Sequence, residues 1–260
     1  MKTDPSPVPD SRLELVDRLF AGTGPTYDSM VHWATFGIDR LWKRRMLELI
    51  PEGSGPVLDL ACGTGISTLS IARRFPNRPV VGVELRDEYL RFAREKVRRE
   101  GIDNVELVLC RAEDFRSATR FDCITSSYLA KYADLPLLTR NCRDMLRPEG
   151  VLMMHDFTYP PKPALVAVWR LYFTVMKHTV ARAFPTWQEI YQGLPRLIEE
   201  TQWLSSLQDA LARNRFSDVK LEYLTLYGSA IVRAVKPAGE GDDDARRFSE
   251  KPATTPQPRA

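Results

Sequence analysis

The sequence predicts an α/β fold in which a mostly parallel, seven-stranded sheet closes with a C-terminal antiparallel hairpin. Three observations predict it. Short, continuous apolar runs alternate with helical patterns from Val57 to His155, which is how strands buried on both faces and joined by crossover helices read. Two further runs, Val219–Thr225 and Ser229–Val235, are separated only by Leu226-Tyr227-Gly228, too short for a crossover, so they pair antiparallel. A loop of small residues, Ala61-Cys62-Gly63-Thr64-Gly65, joins the first strand to the first crossover helix, the place where open α/β sheets bind ligands.

The elements follow in order. Residues 1–10 are proline-rich and polar, and residues 238–260 carry almost no apolar side chains; both are expected to be disordered tails around a single domain at 11–237. Ser11–Ile50 is an N-terminal helical layer. Strands are expected at Val57–Leu60, Val80–Val83, Val105–Leu109, Phe121–Ser126 and Val151–His155, with helices at Ile66–Arg74, Asp87–Glu100 and Leu137–Leu146. Pro148-Glu149-Gly150 reads as a turn before the fifth strand. The segment 160–214 is a helical insertion before the hairpin. It and the N-terminal layer can fold over the carboxyl edge of the sheet as lid and acceptor pocket.

Composition narrows the function classes. The chain has 260 residues, 37 basic and 34 acidic side chains, and a net charge of +3. That balance, with no basic block interleaved with aromatics, argues against a nucleic-acid partner. The cysteines Cys62, Cys110, Cys123 and Cys142 have no C-x-x-C spacing, so they read as free thiols in a reducing compartment rather than a metal site. With no run of about 18 apolar residues and no apolar leader, the expected location is cytoplasmic, with peripheral membrane contact compatible with the weakly basic surface. A homodimer is compatible too.

The spacing Asp59-x-x-x-Gly63-x-Gly65, with Glu84 ending the second strand, points to S-adenosylmethionine (SAM) as the cofactor. The glycines let a nucleoside approach the backbone, and a carboxylate at the end of the second strand can accept from both ribose hydroxyls. Asp59, Gly63, Thr64 and Gly65 are expected at the methionine half. Arg111, Ala112 and Glu113 are expected at the adenine, Ser127 near the sulfonium, and Tyr27 closing the pocket. In a dinucleotide reading the third glycine of G-x-G-x-x-G would be Thr68, which disfavours it.

Tyr27-Asp28-Ser29-Met30, followed by Phe36-Gly37-Ile38-Asp39-Arg40-Leu41-Trp42, resembles the opening signature of the ubiquinone/menaquinone-biosynthesis C-methyltransferases. The resemblance runs through the glycine loop, Phe121-Asp122-Cys123-Ile124-Thr125 and Leu146-Arg147-Pro148-Glu149-Gly150 to the hairpin, covering about Leu19 to Lys236. It implies a Rossmann-like class I methyltransferase fold and SAM-dependent methylation of a quinol ring carbon. It also implies SAM contacts at Thr64, Glu84, Arg111, Ala112 and Ser127. The chain departs from that pattern where Val31 and Asp39 replace the signature asparagine and histidine. It departs again where Tyr128-Leu129-Ala130-Lys131 stands for Gly-Leu-Arg-Asn, whose polar pair serves the quinol.

The expected reaction is methyl transfer to a small, apolar, ring-containing acceptor, with carbon the favoured nucleophile. O- or N-methylation, including that of a phospholipid amine, is the alternative, and a non-catalytic SAM-binding scaffold is a reading of another class. A phenol or quinol acceptor gains from deprotonation, for which a base contributes about 10²–10⁴-fold. His32, His155, Asp156 and Tyr128 are the candidates, with His155 and Asp156 pointing to opposite sides if the strand continues through them.

Overall fold

A computed structural model describes residues 11–239. The tails expected at 1–10 and 238–260 lie outside the described residues, apart from Ala238 and Gly239, which form a turn. Five strands run parallel: β1 (Val57–Leu60), β2 (Val80–Glu84), β3 (Val105–Leu109), β4 (Phe121–Ser127) and β5 (Leu146–Phe157). β6 (Ser217–Leu224) and β7 (Ser229–Val235) form the hairpin, and β7 pairs antiparallel with β5. The sheet order is β3-β2-β1-β4-β5-β7-β6. The helices are α1 (Ser11–Phe20), α2 (Tyr27–Ala34), α3 (Asp39–Leu49), α4 (Ile66–Arg74), α5 (Asp87–Glu100), α6 (Leu135–Met145), α7 (Pro163–Ala183), α8 (Gln188–Thr201) and α9 (Trp203–Arg213).

The continuous apolar strands divide their side chains between two cores. Leu58, Leu60, Ile124, Leu152 and Met154 meet Leu138 and Cys142 of α6 and Trp203 and Leu207 of α9. Val57, Cys123, Val151 and Met153 meet Met46 of α3 and Ile71 and Ala72 of α4 on the other side. This is the period-two alternation of a sheet covered on both faces. A third cluster, from Leu19, Met30, Tyr132, Phe173, Trp187, Ile190 and Tyr191, joins α1, α2, α7 and α8 to the loop after β4.

Boundaries shift by one or two residues at β2, β4, α6 and β6, and by more at β5. The helix α6 begins at Leu135 because Asp134 caps it, its side chain accepting from Leu137 N at 3.1 Å. The turn expected at Pro148-Glu149-Gly150 lies within β5 as an irregularity. The pairing Phe121↔Leu146 jumps to Cys123↔Val151, while Glu149 N and Gly150 O both bond to Lys236, at 2.8 and 2.9 Å. These bonds keep the extra residues in the sheet.

Chain order reverses between β1 and β4, so the crevice beyond their carboxyl ends is the switch point at which such sheets bind ligands.

Candidate active site

Three adjoining cavities occupy that crevice. The first, of about 110 Å³, is lined from the loops after β1, β2, β3 and β4 and roofed by Leu13, Val16 and Phe20 of α1. Gly63 stands on its floor at φ 58°, and a Cβ there would meet nothing within 4 Å, so the backbone is open to a ligand. Gly65 has a different role. At φ 84° it starts α4, and a Cβ would lie 2.7 Å from Leu69 Cδ1 and 3.1 Å from Ala93 Cβ, so it lets α4 and α5 pack closely.

Glu84 organises one end of this cavity. Its carboxylate, only 6% exposed, accepts from Gly63 N at 2.8 Å and Arg86 N at 2.9 Å. A carboxylate has about four lone-pair sites, so capacity remains for two hydroxyls from the cavity. Burial pushes its carboxyl above the usual carboxylate range. Cys110, Arg111, Ala112 and Glu113 line the far end; Arg111 Nε bonds Glu113 at 3.0 Å, which also accepts from Asp134 N at 3.0 Å.

The second cavity, about 30 Å³, holds Asp59, Thr64, Lys43, Tyr27 and Ser127. Asp59 is buried with only hydroxyl partners, Thr68 at 2.6 Å and Thr125 at 2.9 Å, and burial pushes its carboxyl up to about 6. A carboxylate solvated this way suits a ligand ammonium. Thr64 donates to Asp28, and Lys96 bonds both Asp28 and, at 2.9 Å, Thr64 O, which straps α2 and α5 to the glycine loop. An open backbone floor, a ribose-ready carboxylate and an ammonium-ready carboxylate together fit SAM.

The third cavity, about 290 Å³, opens between α2, α3, α7, α8 and the β6–β7 turn. Its walls are almost entirely apolar or aromatic, including Met30, Trp42, Phe157, Trp169, Tyr172 and Trp187. Phe20, Tyr27, Tyr128 and Tyr132 line both it and the nucleoside cavity, so one aromatic wall separates the two. Tyr128 borders all three cavities. It sits at φ 65°, in left-handed backbone that favours glycine, and stacks on Phe157 at 4.7 Å. Its hydroxyl donates to Asp39, which Lys43 holds at 2.8 Å. Burial, with the Asp39 charge adding, pushes Tyr128 well above its ordinary value, so it is a neutral donor.

Lys131 is the one charged side chain among the described residues lining this cavity. Its Nζ meets Asp156 Oδ1 at 2.6 Å, with side chains 2% and 0% exposed. Asp156 therefore lies behind Lys131, and His155, on the opposite face of the strand, packs on Trp42 and Tyr128; neither lines a cavity.

The structure brings neither candidate histidine into these cavities. His155 is fully buried, bonded to Ser229 Oγ at 2.6 Å and set 3.3 Å from Ser127 Oγ, and lines none of these cavities. Burial lowers it to about 3, so it stays neutral and structural. His32 lines none of them either. Its ring packs at Gly37, where a Cβ would meet Cε1 at 2.9 Å, and its Nδ1 is buried without a partner.

His155 sets an acid limb in stability. Its folded value of about 3 lies below the ordinary 6.5, so stability is lost as pH falls through 6.5. Asp59 acts oppositely: at about 6 against 3.8 it binds a proton in the fold first, and stability rises as pH falls through 6. At about 1.36 kcal/mol per unit, His155 outweighs Asp59 and the pair loses about 1–2 kcal/mol between pH 6.5 and 3.5. Urea unfolding of wild type and His155→Gln over that range checks this. The variant's stability change on acidification should be more favourable than the wild type's by roughly 3–4 kcal/mol; parallel curves would refute the assignment.

Sequence reasoning missed Tyr89, Tyr132, Met30 and the Asp39–Lys43 pair. The i,i+4 spacing of Asp39 and Lys43 was the available signal for the last; the others come together only in three dimensions.

A doubly wound sheet with this order, a terminal antiparallel hairpin and a carboxylate-lined nucleoside cleft at its switch point defines a class I, SAM-dependent methyltransferase. The chain belongs to the ubiE/COQ5 methyltransferase family, whose model matches residues 8–236. It is similar to the demethylmenaquinone methyltransferase of Thermus thermophilus, 30% identical over 222 residues, covering 84% of this chain and 100% of that protein. The demethylmenaquinone methyltransferase of Bacteroides fragilis is 25% identical over 229 residues, covering 86% and 93%. Among solved structures, phosphoethanolamine N-methyltransferase 2 of Haemonchus contortus shares the fold. Its TM-score is 0.61 at 16% identity, over 90% of this chain and 61% of that one. The geranyl diphosphate C-methyltransferase of Streptomyces coelicolor shares it with a TM-score of 0.55 at 16% identity, over 76% and 79%.

Proposed function

We propose that the enzyme methylates a ring carbon of a quinol- or phenol-type acceptor with an apolar tail. The observation that carries this reading is the 290 Å³ aromatic cavity sharing the Tyr27–Tyr128–Tyr132 wall with the SAM cleft. A planar ring fits such walls, and the family relatives named for demethylmenaquinone support a quinone-type acceptor. SAM supplies a methyl group already activated by a sulfonium. Asp59, Gly63, Thr64, Glu84, Arg111, Ala112, Glu113 and Ser127 would hold it, with Tyr27 over it. The chain's remaining contribution is orientation and water exclusion, which reach roughly 7–11 kcal/mol in the best intramolecular cases.

The tail emerges toward a membrane surface in this reading. Phe36, Val168 and Leu226 at the cavity mouth are 70%, 61% and 74% exposed, and Trp33 and Leu171, on α2 and α7, are 67% and 64% exposed. Exposed Arg40, Arg170 and Lys177 complement anionic headgroups. Among the described residues no helix is long and apolar enough to cross a membrane. Methyl-labelled SAM with a bacterial lipid extract tests both parts. Label should enter a quinol ring carbon, and the double variant Phe36→Ser/Leu226→Ser should lose transfer from vesicles while keeping it from detergent-dispersed extract. Label in no small molecule would refute the acceptor class; equal losses in both presentations would refute the membrane surface.

A further inference from the structure

The ion pair Lys131–Asp156 is costly where it stands. Removing both charges from water costs several kcal/mol per ion, and the surrounding cavity would pack a methionine or leucine without that penalty. The geometry of the ammonium shows what it could hold. Nζ donates to Asp156 Oδ1 at 2.6 Å and to Tyr128 O at 3.1 Å. A lysine has three donors, so one remains. The head lies 4.6 Å from the Tyr132 ring centre, 5.5 Å from Tyr128 and 5.8 Å from Phe157, three rings that themselves line the acceptor cavity. Asp156 is immobilised in turn, since Oδ1 also accepts from Phe157 N at 2.8 Å and Oδ2 from Lys131 N at 3.3 Å. The other charged groups nearby, Asp39 and Lys43 of α3, pair with each other behind Tyr128.

We propose that Lys131 forms an oxyanion site in this cavity, binding the acceptor through an ionised ring oxygen, with Asp156 as the positioning residue that fixes the ammonium. The proposal rests on the ring-alcohol reading of the acceptor above. A lysine head can only donate, so it selects an oxygen that accepts, and most strongly one bearing charge. The hydroxyl proton leaves to bulk water on binding. The ring carbon beside the C–O⁻ then forms the new carbon–carbon bond as the methyl–sulfur bond breaks and its electron pair stays on sulfur. Loss of that carbon's own proton restores the ring, and the oxygen is reprotonated on release, so each turnover liberates one proton. An acceptor whose ring oxygens are all alkylated cannot use the site.

The test uses Lys131→Met/Asp156→Asn, which removes both charges together because the single change would strand a buried carboxylate. SAM affinity reports folding and should match wild type. Ultraviolet titration of bound 2-naphthol reads the site without turnover. In wild type the probe should ionise at least about one pH unit below its free value, and in the double variant it should not. Methyl transfer to a prenylated 1,4-naphthalenediol should fall about 100-fold in the variant, the scale of losing one oxyanion donor. Its pH profile should move toward that of the free diol. Equal ionisation of the probe in both proteins, or no binding of it to wild type, overturns the oxyanion site. A wild type that ionises the probe yet methylates neither the diol nor the lipid extract overturns the acceptor reading instead and leaves the oxyanion site standing.

Discussion

Glu84→Ala is expected to weaken SAM binding by on the order of 10²–10⁴-fold, because two charge-assisted hydrogen bonds of about 1.5–3 kcal/mol each are lost. The loss has two sources that act together. The carboxylate is the natural acceptor for ribose hydroxyls, and it also holds Gly63 N and Arg86 N, which keep the glycine loop in its open, left-handed shape. Glu84→Gln retains one acceptor oxygen and should sit between the two. Calorimetric titration with SAM measures the effect directly, and a loss smaller than about 10-fold would remove Glu84 from the site.

Trp203→Ala carries the largest expected stability cost. The indole is 2% exposed among Leu207, Leu138 and Met154, and large-to-small changes of this kind cost about 3–5 kcal/mol. Its Nε1 donates to Phe157 O at 2.6 Å, so the substitution also strands a carbonyl at the end of β5. Phe157 stacks on Tyr128 and lines the acceptor cavity. The variant should therefore raise the acceptor KM while leaving SAM affinity near wild type. Denaturant unfolding together with the two binding measurements checks this; a stability loss below about 1 kcal/mol, well under the usual range, would contradict the packing.

What was legible in the sequence was what local pattern encodes. The glycine loop, Glu84 and the hairpin are contiguous signals, and they mark the sheet and the cavity at its switch point. The alternation along the fifth strand by itself separates His155 from Asp156. It does not say that both are covered, because that depends on Ser229 and Trp42 packing on one side and Lys131 on the other. Lys131 itself was visible only as a departure from the family pattern. Its burial against Asp156, twenty-five positions away, is set by how the loop after β4 crosses the end of β5. Tyr128 shows the same limit. The family pattern carries glycine at this position, and the φ of 65° gives the conformational reason. A tyrosine there accepts backbone strain of about 1–3 kcal/mol, and its ring then faces all three cavities.

The strap from Asp28 to Thr64 and Lys96 has a consequence for how the two ligands communicate. Tyr27 is the residue before Asp28 and borders the nucleoside, methionine and acceptor cavities. Settling the glycine loop around the first ligand thus sets one wall of the chamber for the second. Such linkage is reciprocal by thermodynamic necessity: the factor by which the donor sharpens acceptor binding is the factor by which the acceptor retains the donor. Occupancy of either chamber therefore favours occupancy of the other, by the same factor in both directions.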